Sequence, residues 1–371
     1  VTRSRGWLGA PAWLVIREGL NQRWGSELRR RRIFTRLAER TGADIMESDW
    51  FPTLLRRAAR GPYLGRLPGP LVYRLPQLGP KPRFAASEKL SEGMLDAAIA
   101  ATDPAVVAVY DDPVAHARAL GVTLAEESLD LLAERQRRNA AAFRWIVAPT
   151  RSFGELVGLD LDRLIAGGNG TDVRRITVGP WPSRPSIGIV SGAAPGRGLE
   201  LLVAAVAEAR SSVPDLALRM WLISTSEATE AYLRDLRTSV EGQPWVTIGT
   251  VSYAELGATL AGASVLCIPH PPSSYWDVAL PVKLFDSLAA GRPLLITPRT
   301  ETAAIVRGMG VGTVAGGDSV EDMAAAIVDL FRDDEALRSL GARAREVAER
   351  EFDWEIVGDR IATAVLEREA G

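Results

Sequence analysis

Cysteine occurs once in this chain, at Cys267, and histidine twice, at His116 and His270. One thiol excludes a disulfide framework and any Cys-based zinc site. Two histidines count equally against a His-rich metal centre. Lysine is almost as scarce: of 44 basic side chains, only those at positions 81, 89 and 283 are lysine. Neither sign of charge is in excess overall, since 46 acidic residues leave a formal net charge of −2. Long hydrophobic runs are missing too. The longest uncharged stretch, 256–276, is broken by Gly257, Gly262, Pro269, Pro271 and Pro272 into a helix, a short strand and a turn, so no transmembrane segment is expected. No apolar run precedes a small-residue cleavage site near the N-terminus, and the expected location is cytoplasmic.

What is present is an ordinary globular composition, 47% hydrophobic and 24% charged, which excludes a mainly disordered chain. Its 371 residues suit two domains. The charge is unevenly spread. Residues 1–90 hold 18 Lys and Arg against 7 Asp and Glu, whereas 91–371 hold 26 against 39. A basic first part facing an acidic remainder suits a phosphate-rich or anionic-membrane partner for the first part.

Short apolar runs alternate with amphipathic helical patterns, the signature of α/β architecture with parallel sheets. Strands are expected at Trp13–Ile16, Leu71–Tyr73, Val106–Tyr110 and Trp145–Ala148 in the first half, with helices near 26–40, 88–101 and 124–143. In the first of these helices Ser26 would be the cap, Leu28, Phe34 and Leu37 the buried stripe, and Arg29 to Arg32 largely the solvent side. The stretch from Gly167 to Pro185, rich in Gly and Pro, reads as an interdomain linker. A second alternation follows, with strands at Ile187–Val190, Ala217–Ile223, Val246–Ile248, Val265–Ile268 and Leu294–Thr297, and helices near 318–332, 335–351 and 354–368. Two such units form a bilobal protein whose default site is the cleft between the lobes.

Several catalytic signatures are absent: the P-loop, Gly-x-Ser-x-Gly, His-Glu-x-x-His, and a Gly-x-Gly-x-x-Gly after the first strand. The informative segment is Pro281-Val-Lys-Leu-Phe-Asp-Ser-Leu-Ala-Ala-Gly-Arg-Pro293. Pro281 suits a first helical turn, and Gly291 with Pro293 a sharp end. Leu284, Phe285 and Leu288 form the buried stripe, while Lys283 and Asp286 project from one face. A helix start after a strand's carboxyl end favours an anion, so the lysine suits a diphosphate and the carboxylate ribose hydroxyls. The same spacing equally suits an exposed ion pair.

This segment resembles the "P-x-K-x-x-E-x-x-A-x-G-x-P" motif of GT-B glycosyltransferases of the family 4, or group 1, type. Three further segments agree in order: Asn169-Gly-Thr-Asp172; Ile187 to Gly192 followed by Gly196-Arg-Gly-Leu-Glu-Leu-Leu202; and Phe352-x-Trp354. The resemblance runs from about residue 165 to the end. It implies a GT-B fold, two Rossmann-like α/β domains facing each other across a cleft. Residues 1–180 would be the acceptor side and 181–352 the nucleotide-sugar side, with a helix over 353–371 crossing back to the first domain. It further implies that Arg197 and Lys283 hold the donor diphosphate and neutralise charge on the departing nucleotide, in place of a divalent metal. Gly192, Leu284 and Asp286 would complete the donor site; His270, on the loop after the strand at 265–268, would face the donor side or be structural. Asp286 stands where the family usually has Glu, and the acid expected eight residues earlier is Val278, with Asp277 beside it either touching the sugar or capping the next helix.

In the first domain, the loop 17–25 falls where the family places a Gly-rich loop over the donor phosphates. Gly25 would let the backbone approach, and Glu18, Asn21 or Arg23 would face the ligands; an ordinary βα turn is the plainer reading. Asp111 and Asp112 follow a strand's carboxyl end. One would be the general base of an inverting enzyme, whereas a retaining course needs neither; either also suits a cap for the helix after Pro113. His116, inside that helix, reads as a surface or packing residue. Arg29 to Arg32, with Trp7, Trp13 and Trp24 nearby, would dock on anionic lipid headgroups, or would simply be a solvated helix face; no nucleic-acid-binding pattern is present. The resulting expectation is a metal-independent glycosyltransferase, retaining rather than inverting, that uses a UDP- or GDP-sugar and a hydroxyl acceptor that is a glycan, a lipid-linked group or a small molecule. A GT-B-fold sugar-nucleotide epimerase and a non-catalytic GT-B partner subunit are the alternatives.

Overall fold

In the computed structural model, the residues described are 13–17, 25–42, 44–47, 83–87, 105–109, 113–120, 129–141 and 143–370, apart from 225 and 253. Several expectations lie outside them: the strand at 71–73, the helix at 88–101, Trp7, Trp24, Glu18, Asn21, Arg23, Asp111 and Asp112. The chain divides into two units. The first takes Val1–Val114, Leu124–Gly168 and Trp354–Gly371; the second takes Ala115–Thr123 and Asn169–Asp353. The sequence placed the boundary at 180/181; this division places it at 168/169 and gives the second unit a short piece of the first half.

The first unit is built on a parallel sheet of six strands, β1 (Trp13–Arg17), β2 (Asp44–Glu47), β3 (Arg83–Ser87), β4 (Ala105–Val109), β5 (Trp145–Ala148) and β6 (Leu164–Ala166), in the order β2-β1-β3-β4-β5-β6. Among the described residues its helices are α1 (Gly25–Thr41), α2 (Pro113–Leu120), α3 (Leu129–Ala141) and α4 (Arg151–Val157). Residues 115–120 of α2 count with the second unit.

Helix α1 is enclosed on more than one side. Its apolar residues Ile33, Phe34, Leu37 and Ala38 cluster with Val147 and Ile165 of the sheet. They also meet Trp354, Val357, Ile361, Ala362 and Val365 from the chain's last helix. This corrects the solvent-side reading of the arginine run. Arg29 and Arg30 are 0% and 1% exposed, and Arg29 Nη2 donates to the Gly167 carbonyl at 3.2 Å. Arg29 and Arg30 continue the buried stripe one turn before Ile33 and Phe34, while Arg31 and Arg32 fall on the partly exposed face with Thr35, Arg36, Glu39 and Arg40. The helix also starts at Gly25, so Ser26 lies inside its first turn.

The second unit repeats the plan with β7 (Ser186–Gly192), β8 (Ala217–Ile223), β9 (Val246–Gly249), β10 (Val265–Ile268), β11 (Leu294–Ile296) and β12 (Gly312–Val314), all parallel, in the order β12-β11-β10-β7-β8-β9. Its helices after α2 are α5 (Leu199–Ala209), α6 (Glu227–Ser239), α7 (Leu256–Ala261), α8 (Ser274–Val278), α9 (Val282–Ala289), α10 (Thr300–Met309), α11 (Val320–Leu330) and α12 (Asp334–Val347). A short π-helical turn, Ala348–Phe352, follows α12. The last helix, α13 (Trp354–Ala370), belongs to the first unit.

Strand β10 is buried along its whole length, as a parallel strand covered on both faces must be. Its alternate residues serve opposite faces: Val265 and Cys267 join one apolar cluster with α5 and α11, while Leu266 and Ile268 join another with α9 and α10. The order places β7 between β10 and β8: the chain runs from β7 outward through β8 and β9, then returns to the other side of β7 at β10. The crevice beyond the carboxyl ends of β7 and β10 is therefore the switch point where ligands of open α/β sheets bind.

Candidate functional site

Two loops and one helix meet at that switch point. The loop after β7 runs from Ala193 to Gly198 and carries Arg197. Gly198 has φ +73°, and a Cβ there would lie 1.7 Å from the Pro269 carbonyl oxygen on the loop after β10. Only glycine permits so close a crossing in that conformation. The loop after β10 runs through His270 to α8, where Ser273 caps the helix by accepting the Trp276 amide at 3.0 Å. Helix α9 then begins behind Pro281 and presents Lys283, while Leu284, Phe285 and Leu288 anchor it in the core.

The sequence-expected cations do converge. Lys283 Nζ donates to Ser191 Oγ at the end of β7, at 3.1 Å. Arg197 Nη2 lies 3.0 Å from His116 Nε2. A guanidinium only donates, so His116 accepts through Nε2 and carries its proton on Nδ1. Both cations are half-buried, and neither has a carboxylate within 4 Å among the described residues. Burial, then Arg197, depress Lys283 from the usual lysine range to about 7. Burial lowers Arg197 as well. The same burial, followed by Arg197 and Lys283, holds His116 neutral with a pKa of about 4. His270 is fully buried and also lowered, by burial first and then by Lys283 and Arg197. Positive charge in a partly buried site with no carboxylate beside it is an arrangement that an anion completes.

Aromatic rings frame these charges. The Arg197 guanidinium sits 5.2 Å from the centre of the Trp276 ring. His270 stacks on the same indole at 3.8 Å, His116 meets it edge-on at 5.7 Å, and Tyr275 at 4.9 Å. Sequence reasoning named neither aromatic. The available signal was an adjacent Tyr-Trp pair in a loop of small residues, just ahead of the Pro-x-Lys helix. It also treated His116 as a packing residue, whereas the ring is a hydrogen-bond partner of Arg197.

Other site expectations fare differently. Lys283 and Asp286 do not pair with each other. Asp286 Oδ1 accepts from Thr171 Oγ1 at 2.8 Å, and its carboxyl is raised to about 7 by burial against that hydrogen bond. Leu284 is fully buried and its amide donates to the Pro281 carbonyl, so it serves helix packing rather than ligand contact. Asp277 neither caps the following helix nor stands free: Arg299, 5% exposed, donates to it at 3.2 Å and also binds Asp318. Gly192 lies beside the Arg197 guanidinium, where an added Cβ would be 3.7 Å from Nη2. The Asn169-Gly-Thr-Asp segment is tied to α9 at two points, through Thr171 and through Asn169 Nδ2, which donates to the Leu280 carbonyl.

Residues 184–333 match the family described as Glycosyl transferases group 1, a range that includes the loops after β7 and β10 and helix α9 but not His116 or the Asn169–Asp172 segment. The chain is 28% identical over 221 residues, 54% of its length, to a GDP-mannose-dependent monoacylated alpha-(1-6)-phosphatidylinositol monomannoside mannosyltransferase of Corynebacterium glutamicum, of which it covers 55%. It is 27% identical over 270 residues, 71% of its length, to a D-inositol 3-phosphate glycosyltransferase of Rhodococcus erythropolis, of which it covers 59%. The chain thus spans somewhat over half the length of these relatives. Among solved structures it is similar to Anabaena HepE in complex with UDP-glucose, with a TM-score of 0.68 at 14% identity over 96% of this chain and 99% of that one. That likeness shows the fold, which is of the GT-B type.

Proposed function

We propose that this chain, whose second unit carries a group 1 glycosyltransferase domain, moves a sugar from a nucleoside-diphosphate sugar to a hydroxyl acceptor, with retention and without a divalent metal. One observation carries the reading: Lys283 and Arg197 stand half-buried at the switch point with no carboxylate partner among the described residues. As the bond from the sugar's anomeric carbon to the phosphate oxygen breaks, negative charge gathers on the diphosphate. Two fixed cations in a low-dielectric site stabilise that charge without reorganising. They supply the neutralisation that a metal ion gives in other sugar transferases.

The neighbouring carboxylates are already engaged, Asp277 by Arg299 and Asp286 by Thr171. Neither is placed as a base toward the cations, which favours a course in which the leaving phosphate oxygen takes the acceptor's proton. The donor is a UDP- or GDP-linked hexose. For the acceptor, both curated relatives described above are named for inositol phosphate compounds. A phosphate-bearing inositol acceptor suits the basic balance of residues 1–90. The burial of Arg29 and Arg30 takes half of the arginine run away from a lipid-docking role.

The test is a nucleotide screen followed by turnover. GDP or UDP should raise the melting temperature of the full chain by mass action. Transfer of labelled hexose from GDP-mannose or UDP-glucose to a phosphoinositol acceptor should follow, and Lys283→Ala and Arg197→Ala should each lower kcat about 100-fold or more. No shift with any nucleoside diphosphate, or undiminished turnover in both variants, would defeat the reading.

A further inference from the structure

The cation pair accounts for a diphosphate but leaves other groups unexplained. Both ring nitrogens of His270 and Nε1 of Trp276 are buried without a hydrogen-bond partner, and so is Nε of Arg197. These atoms belong to one cluster, since His270 stacks on Trp276 and Arg197 lies over the same ring. Buried polar atoms are normally satisfied, and several orphans together mark a place where something else binds.

Their chemistry narrows what that is. The indole offers a donor only, whereas an uncharged imidazole offers one donor and one acceptor. A fully ionised phosphate accepts but does not donate, so it leaves the imidazole's acceptor nitrogen idle. A hydroxyl serves both roles. The cluster is also held rigidly. Ser273 caps α8, Arg299 binds Asp277 next to Trp276, and the His270 carbonyl accepts from Thr297 Oγ1 at 2.6 Å. On the same short helix, two residues beyond Trp276, Val278 stands where the resembling motif has an acid that contacts the transferred sugar.

We propose that Trp276 and His270 form the wall that reads the hydroxyls of the transferred sugar, replacing the carboxylate that Val278 does not supply. The inference rests on the glycosyl-transfer reading and deepens it. The sugar is recognised through neutral donors and acceptors beside an aromatic face instead of through a charged acid.

The experiment separates sugar from nucleotide. Calorimetric titration of the full chain with GDP and GDP-mannose, and with UDP and UDP-glucose, measures the contribution of the hexose. Trp276→Phe keeps a ring and removes the N–H. His270→Leu removes both polar atoms, and His270→Gln retains a donor and an acceptor. Trp276→Phe and His270→Leu should weaken the matching nucleotide sugar about five- to tenfold, with the free nucleotide unchanged within twofold, and His270→Gln should recover most of the loss. Circular dichroism checks that each variant is folded. Should a variant fail to fold, wild-type protein titrated with nucleotide sugars lacking one hydroxyl at a time gives the independent readout, and one position should stand out by a similar factor. Equal weakening of nucleotide and nucleotide sugar, no weakening at all, or indifference to every hydroxyl overturns the proposal. A wild-type chain that binds no nucleotide at all overturns the glycosyl-transfer reading itself.

Discussion

Lys283 is the only lysine in the last 281 residues, and its surroundings give it a property that arginine would lack. Burial and Arg197 hold it near 7, so it sheds its proton in the empty site as the pH rises past neutrality. An arriving diphosphate favours the charged form. Nucleotide affinity should therefore fall as pH rises above about 7, by up to tenfold per unit, with net proton uptake on binding visible in buffers of different ionisation enthalpy. Lys283→Arg should bind with a flat profile between pH 6 and 9, because a guanidinium keeps its proton. Asp286 is displaced the opposite way, raised to about 7. Between the ordinary carboxylate range and 7 the native chain holds more protons than the unfolded one, so this group's contribution to stability declines as pH rises through that window. Asp286→Asn keeps an acceptor for Thr171 and removes the ionisation. Thermal melts should show the variant above wild type at pH 8, with the gap narrowing at pH 5. The motif made both residues legible in the sequence. Their partners were not, since Ser191 and Thr171 are 92 and 115 residues away along the chain.

At the scale of elements, the site depends on loops crossing at van der Waals distance. Gly198, with φ +73° and the Pro269 carbonyl against it, is the tightest crossing at the switch point. Gly198→Ala would require a backbone shift in the segment that carries Arg197, through both the conformational penalty and the clash. Nucleotide affinity should drop at least tenfold, and the melting temperature should fall with it. Calorimetry and thermal melts check both. A glycine in a Gly-Arg-Gly turn was visible in the sequence, but its cause was not, because the clash partner sits on another loop. Helix α1 teaches the reverse lesson. Four consecutive arginines read as a solvent face by their charge, yet Arg29 and Arg30 continue, four residues earlier, the buried stripe of Ile33, Phe34, Leu37 and Ala38. Spacing puts these two positions on the inner face, and only the fold shows that a guanidinium there finds a backbone carbonyl to bond.

At the scale of the whole molecule, the last 18 residues complete a unit whose other parts lie 186 or more residues earlier. Trp354, 2% exposed, begins that helix, and Arg36 reaches Asp359 at 2.6 Å from α1. Trp354→Ala should cost about 3–5 kcal/mol by leaving a cavity against α1, measurable in guanidinium denaturation. The exposed neighbour substitution Glu355→Ala should cost far less. Among the described residues no helix is long and apolar enough to cross a membrane.

The sequence by itself determined the α/β class, the two successive alternations, the helix carrying Lys283, and the loop carrying Arg197. Each of these is written in local periodicity, turn chemistry or a contiguous motif, which short-range sterics and hydrophobic burial translate directly into structure. Tertiary structure alone decided what stands beside those residues. It set His116 on Arg197, stacked His270 on Trp276, gave Asp277 to Arg299, and buried Arg29 and Arg30. These are contacts between segments far apart in the chain. The shifted proton affinities that follow from them come from burial and from neighbouring charge, which exist only once the chain has folded.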